Sequence, residues 1–535
     1  MIKQPASIFN DVIGPVMIGP SSSHVAAANR IGTLAREMVK GRLKDVIVEF
    51  DPRGSLATTY HDQGSDIGLV GGLLGLNPAD VRLPASLDLA LNQGINVTFR
   101  VVDYPASHPN TYRITIFSDQ KERISLTAIS VGGGMIEIQE IEGLKVSIAG
   151  DFYETLIFVN DLDQLELKQM AEDLKTLIGD FDFCDCSWDH LHGLIDVKTT
   201  YKLPSRLLES IASVGKVTKV LELSPILPIL SRKGCAVPFR SAREMLKVAS
   251  EKNLELWELA QMYEGFRGDI SPESVFQRMR EIVFLMKFSL EAGLEGTSYE
   301  DRILGPQAYL IEKNKNKLIP GDVVNKVISY TTSMMEVKSS MGVIVAAPTA
   351  GACGVLPGAI LGAAEVMGLN LDEAVKAMLA AGMIGVFIAE KSGFAAEVGG
   401  CQLECGAASG MAAAGLVQLA GGSAEQGVNA ASIALQNILG LVCDPVADRV
   451  EWPCLGRNIM AGVNAIASAN MALAGYDKVI PLDETLTAMD QIGRMLPPEL
   501  RCTGLGGLSV TSTSQKIFKE LKVRQKRPNF GNFKD

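Results

Sequence analysis

The stretch TLIFVNDLDQLELKQMAEDLKTLIGDFDFCDCSW, residues 155–188, decides how this chain is divided. TLIFVN has the β-branched and aromatic content of a strand, Leu165 to Ile178 repeats apolar residues at helical spacing, and FDFCDCSW reads as a strand again. Downstream, GLIDVKTTY reads as a strand, Ser205 to Ser213 as a helix and KVTKVLEL as a strand. Residues 152–225 therefore spell β-α-β-β-α-β, the order of a small ferredoxin-like sandwich.

On either side the texture changes. Residues 1–150 combine a helix from Ala26 to Val39, a strand KDVIVEFD, helical segments at Asp66 to Leu74 and Pro84 to Leu91, and the strands NVTFRVVD, TYRITIFSD and ISLTAISVGG. That is an α/β domain. Pro225, Pro228 and the basic SRKG at 231–234 break the pattern as a linker does. Residues 235–535 read as helix almost throughout, with runs at Arg243 to Tyr263, Pro272 to Ala292, Pro320 to Ser339 and Leu371 to Ile388. The expected fold class is multidomain α+β with an all-helical C-terminal half, and 535 residues are enough for about three domains.

Composition narrows the function. A formal net charge of −11 argues against a nucleic-acid surface, which needs clustered Lys and Arg. The one basic run, KVRQKRP near the C-terminus, reads as a solvated tail. MIKQPASIFNDVIG lacks the basic and apolar regions of an export signal. Mean hydropathy is +0.18, yet the longest apolar run, Ala377 to Ala389, is shorter than the ~20 residues a bilayer core requires. The expectation is a cytoplasmic protein with no membrane partner. Nine cysteines, an odd number in a reducing compartment, favour free thiols or metal ligands over disulfides. Six lie beyond residue 350: Cys353, Cys401, Cys405, Cys443, Cys454 and Cys502.

Several constellations could carry chemistry. In G-P-S-S-S-H, residues 19–24, Ser21, Ser22 and Ser23 exceed what one helix cap needs. A helix start with surplus hydroxyls beside His24 suits an anion such as a carboxylate, and His24 is placed either to act as acid or base near neutral pH or simply to hydrogen-bond that carboxylate. In S-V-G-G-G-M, residues 130–135, Gly133 belongs to a run that allows close backbone approach or a bulge equally well. A-P-T-A-G-A-C-G, residues 347–354, again sets a hydroxyl, Thr349, and small residues before a helix. The cysteines form no C-x-x-C pair, so zinc-ribbon and ferredoxin spacings are absent, and buried thiols in a tight bundle account for the spacing alone. Pro445 and Pro453 set Cys443 and Cys454 at helix ends or turns, where a thiolate can meet a metal.

Taken together, G-P-S-S-S-H, S-V-G-G-G, A-P-T-A-G-A-C-G-V-L-P-G, G-C-Q-L-E-C-G-A-A-S-G-M-A-A-A, L-G-L-V-C-D-P-V-A and P-C-L-G-R-N resemble the iron-sulfur-dependent bacterial L-serine dehydratases. The resemblance covers nearly the whole chain in order. It implies a β-type domain at 1–150, an ACT-like domain at 152–225 and an α-type catalytic domain at 235–535. It further implies a [4Fe-4S] cluster on Cys401, Cys443 and Cys454, with Cys353, Cys405 and Cys502 outside the ligand set. By the same resemblance Ser22, Ser23, His24 and Thr349 are catalytic, and Ser21, Gly133, Arg457 and Asn458 face the substrate, L-serine. Pyruvate and ammonium are the implied products, and a homodimer is the default assembly. Relatives often carry G-H-G-T-D where this chain has His61 to Asp66, and Asp161 to Gln164 replace the glycine turn that receives an effector in ACT domains.

Two other readings fit parts of the sequence. A pyridoxal-phosphate lyase would need a Schiff-base lysine, for which Lys391 in E-K-S-G-F is the one in a suggestive setting. A non-catalytic amino-acid sensor would keep the first two domains and lose the chemistry of the third.

Overall fold

A computed structural model describes residues 4–524, so most of the basic C-terminal run lies outside the described residues. After a short N-terminal turn (Ile8–Val12), β1 (Val16–Ile18) leads into the helix at Ala27–Glu37. That helix and a second at Ser65–Leu73 cover one face of a six-stranded sheet. The sheet consists of β2 (Leu43–Phe50), β3 (Asn96–Val101), β4 (Thr111–Ser118), β5 (Arg123–Gly132), β6 (Met135–Ile141) and β7 (Leu144–Ile148), in the order β3-β2-β4-β5-β6-β7. Only β2 and β3 run parallel. The hairpin β6–β7 is an addition to the strands expected from sequence: its Met135-Ile-Glu-Ile-Gln-Glu-Ile141 alternates cleanly, but Glu142 and Gly143 close it within two residues.

The next sheet is β8 (Tyr153–Asn160), β9 (Phe183–Trp188), β10 (His192–Thr199) and β11 (Val217–Leu223), antiparallel in the order β11-β8-β10-β9. With helices at Gln164–Ile178 and Ser205–Ala212 this is the βαββαβ topology of a ferredoxin-like sandwich. Period-2 alternation assigns its faces. Leu156, Leu194 and Leu221 join the core of the six-stranded sheet, while Ile157, Val159, Ile195 and Val197 meet Leu167, Ala171 and Leu174 of the first helix.

The rest is helical with one exception. Val343–Val345 is a strand, β12, paired antiparallel with β1 (Val16↔Val345, Ile18↔Val343), so the C-terminal half is not all-helical. The run expected as one helix from Arg243 to Tyr263 is two, Ala242–Lys252 and Leu256–Gly268. Asn253 adopts a left-handed conformation that stops the first, and Glu255 with Glu258 forms a capping box that starts the second. The apolar run at 377–389 lies inside the buried helix Leu371–Lys391, and among the described residues no helix is long and apolar enough to cross a membrane.

Two departures bear on the site. Ala6, Ile8, Phe9, Val12 and Ile13 pack in the helical core rather than with the neighbouring sheet. A Cβ at Gly385 would lie 2.1 Å from Val12 Cγ1, which is how closely this segment seats on the Leu371–Lys391 helix. The linker is equally embedded: Ile229 and Phe239 are buried, and Asn10 exchanges hydrogen bonds of 2.7 and 3.0 Å with the Ile229 backbone.

Candidate active site

The β1–β12 pair brings two loops from opposite ends of the chain together. Residues 21–26 begin as a π-type turn with Ser21 at the cap position, yet no serine side chain caps it. The surplus hydroxyls are spent elsewhere. Ser22 Oγ accepts from the Ala350 N–H at 3.1 Å, tying the first loop to the second. Ser21 Oγ contacts His24 Nδ1 at 2.9 Å, and His24 Nε2 contacts Thr59 Oγ1 at 2.9 Å. Glu397 Oε1 lies 3.8 Å from Nδ1. Ser23 is buried in the same turn. Burial pushes the His24 imidazole down to about 3, so it does not titrate near neutral pH as its position in sequence suggests; it stays neutral.

Opposite, Thr349 precedes a short 3-10 turn, Ala350–Ala352, and its hydroxyl donates to Glu404 Oε1 at 2.7 Å. Glu404 is raised to about 8 by burial, then by Cys401 and Glu397, so a carboxylic acid sits here at neutral pH. Gly133 (φ +62°) packs its turn against the Pro348 carbonyl, where a Cβ would approach to 3.2 Å, and so shapes the loop from outside. At Gly132 the fit is tighter: it bridges to Phe394, and a Cβ would lie 2.6 Å from the Ala395 nitrogen.

The thiols converge from four segments. Cys401 lies in a 3-10 turn, and Glu404 (φ −107°, ψ −82°) breaks the chain before the helix Cys405–Leu419 begins. Cys401 and Cys405 are therefore not successive turns of one helix, although their thiols hydrogen-bond. That bond, with help from Arg457, holds the Cys401 thiol down near 7 and pushes Cys405 well up. Cys443 bonds in the same way to Cys502, whose backbone N–H also donates to the Cys443 carbonyl at 2.9 Å. Cys454 opens the helix Cys454–Leu473 and is raised by burial. Cys401 acts electrostatically on both Cys443 and Cys454. Among the described residues no three His, Cys, Asp or Glu side chains are set to hold one metal ion.

Arg457 and Asn458 are already engaged. Arg457 Nη2 bonds Asp444 Oδ1 at 2.6 Å, and the other Asp444 oxygen accepts from the Leu508 N–H. Asn458 ties its own helix to the second loop: Nδ2 donates to the Gly351 and Cys454 carbonyls, each at 2.8 Å, and Oδ1 accepts from the Gly354 N–H at 3.2 Å. Both brace the loops around the thiols. Residues that sequence reasoning missed include Thr59, Glu397, Glu404 and Lys338, each partnered only through tertiary placement. Lys338 is completely buried at the end of the helix Asp322–Ser339, its Nζ donates to the Val450 carbonyl, and its charge lowers the pKa of Glu404 and Cys454. Lys391, by contrast, lies outside this cluster along an open groove with Arg243 and Glu425.

Comparison with known proteins places the chain in a family. The family model described as serine dehydratase alpha chain matches residues 251–509. "Probable L-serine dehydratase, alpha chain" of Bacillus subtilis is 37% identical over 285 residues, 53% of this chain and 95% of that protein. "Probable L-serine dehydratase, beta chain" of the same organism is 46% identical over 155 residues, 29% of this chain and 69% of that protein. "L-serine dehydratase" of Streptomyces coelicolor is 32% identical over 502 residues, covering 92% of this chain and 96% of its own length. The chain belongs to the L-serine dehydratase family, as a single polypeptide that matches both the α-chain and the β-chain relatives.

Proposed function

We propose that this chain converts L-serine to pyruvate and ammonium, with Cys401, Cys443 and Cys454 holding a [4Fe-4S] cluster. The observation that carries the reading is the contact of Ser22 with Ala350, which sets His24 of the first loop and Thr349 of the second around the same buried space as the thiols. The donor set suits the group. Thiolates are the ligands iron–sulfur clusters take, all three are buried, and Arg457 supplies positive charge beside Cys401. Cys401 acts electrostatically on both Cys443 and Cys454, so the three thiols share one region of the fold. Bound there, the cluster supplies a Lewis acid for the substrate's hydroxyl.

The chain's own groups do the rest. Ser21 and Thr59 fix both nitrogens of a neutral His24, with Glu397 3.8 Å from Nδ1, so this buried imidazole orients the first loop as a hydrogen-bonding group. Glu404, held protonated by burial, can deliver a proton to a departing oxygen, and Thr349 orients it. Aminoacrylate formed by the elimination tautomerises and hydrolyses without further help. The ferredoxin-like unit at 152–225 is read as an ACT-type module, and the chain as a cytoplasmic homodimer without nucleic-acid partners. L-threonine, one methyl larger, is the nearest alternative substrate.

The test is pyruvate release from L-serine by anaerobically purified protein, comparing wild type with Cys443→Ala. Turnover in the first and its loss by ~100-fold or more in the second are expected. Equal rates would remove the cluster from the mechanism, and no pyruvate from the wild type would remove the function.

A further inference from the structure

With Arg457 and Asn458 committed to protein partners, the substrate's carboxylate needs another anchor, and unspent donors lie elsewhere. A cavity of about 40 Å³ is lined by Pro20, His61, Asp62, Lys338, Ser339, Arg449 and Glu451, among others. Pro20 directly precedes Ser21, and Lys338 reaches electrostatically to Glu404 and Cys454, so this cavity adjoins the site. Three of its residues carry donors the fold does not satisfy. Lys338 is 0% exposed and its Nζ donates to a single carbonyl, while its charge acts on Glu451 in the same lining. Ser339, 8% exposed, has a buried hydroxyl with no hydrogen-bond partner. Arg449, also 8% exposed, pairs through Nη2 with Asp301 at 2.8 Å and with Asp62 at 3.8 Å, while its buried Nε has no hydrogen-bond partner.

A buried ammonium with one hydrogen bond and two buried donors without acceptors are each costly. Their meeting in one small cavity is what an anion with two or three acceptor lone pairs would resolve. A single water needs roughly 10–15 Å³ of such space, so this one accommodates the two oxygens of a carboxylate. Asp62 and Glu451 in the same lining give the opposite sign, as a zwitterion requires. His61 is occupied by Asp66 at 2.7 Å, and one Glu451 oxygen accepts from the Ile303 and Leu304 N–H groups.

We infer that Lys338, Ser339 and Arg449 form the subsite that anchors the carboxylate of the amino-acid substrate, a proposal that rests on the function proposed above. These are positioning residues: they restrict the enzyme to substrates bearing a carboxylate and set the Cα–H toward the His24 side of the site. The probe is L-alanine, which has the carboxylate and ammonium but no hydroxyl to eliminate, titrated calorimetrically into the anaerobic holoenzyme, with L-serine kinetics measured in parallel. Wild type should bind L-alanine. Lys338→Met should weaken that binding by about 30-fold or more and raise KM for L-serine in proportion, with a smaller change in kcat. Ser339→Ala removes a hydroxyl that holds nothing in the fold, so it folds normally and should weaken L-alanine by about 10-fold. Wild-type affinity in Ser339→Ala and folded Lys338→Met, or a wild type that does not bind L-alanine, overturns the subsite. Failure of the wild type to make pyruvate while these affinities shift as stated would instead overturn the serine reaction and leave the carboxylate subsite standing.

Discussion

His24 shows how burial converts a residue's chemistry. In the unfolded chain its imidazole titrates near 6.5; in the fold it is pushed down to about 3 because nothing solvates the charged ring. Between those values the unfolded state binds a proton that the folded state refuses, so stability is lost as pH falls from about 6.5 toward 3. The full shift corresponds to at most about 5 kcal/mol. His24→Asn, which cannot protonate, should therefore lose less stability than wild type between pH 6.5 and 4, read as the shift of urea midpoints. Parallel losses in the two proteins would mean that His24 is charged in the folded state. The residue itself was legible, since a histidine after three serines at a helix start is conspicuous; its neutrality was not, because that follows from burial by segments distant in sequence. Lys338 was illegible for the same reason. Val-Lys-Ser-Ser-Met-Gly looks like an ordinary helix end until Val450 and Pro20 arrive from elsewhere.

At the scale of elements, periodicity located most helices and the βαββαβ unit, because each of those buries one face and leaves the other wet. It failed where an element is short or a helix is interrupted. Three residues, Val343 to Val345, carry no periodic signal, yet pairing with β1 brings the two loops of the candidate site side by side. The glycines at 132–134 gave an ambiguous signal in sequence, and the structure resolves it as close packing. At Gly132, φ is +98°, and the Cα lies against the backbone of Phe394 and Ala395 in the loop that carries Glu397. Gly132→Ala places a methyl 2.6 Å from the Ala395 nitrogen in a conformation that L side chains avoid. The expected cost is about 2–4 kcal/mol, measurable as a lowered denaturation midpoint. Since Glu397 moves with that loop, turnover should fall beyond what stability alone explains. A variant as stable and active as wild type would show that the sheet and the helical part are not wedged together at this point.

At the scale of the molecule, the sequence suggests three domains strung on linkers, while the packing describes something closer to one clasped body. Ser7 Oγ donates to Glu264 Oε1 at 2.5 Å, and the Ile8 N–H donates to its other oxygen at 2.8 Å, deep in the helical core. Ser55 Oγ donates to the Cys502 carbonyl at 2.9 Å, and Ser22 receives Ala350. Residues 5–26 contribute apolar side chains to the same cluster as the C-terminal helices, so pulling the halves apart would expose a core, not a wetted domain boundary. This explains how relatives described as separate α and β chains can carry the same parts: the covalent link is the least of the connections. Lys233 and Gly234 are two adjacent exposed residues of the connecting segment, with buried Ile229 and Phe239 on either side. A protease site inserted between them and cut in the folded protein should leave the two fragments co-eluting at the mass of the intact chain, unfolding in one transition and retaining pyruvate formation. Fragments that separate on a sizing column at micromolar concentration would show instead that the chain connection, and not the buried N-terminal segment, holds the two walls of the site together.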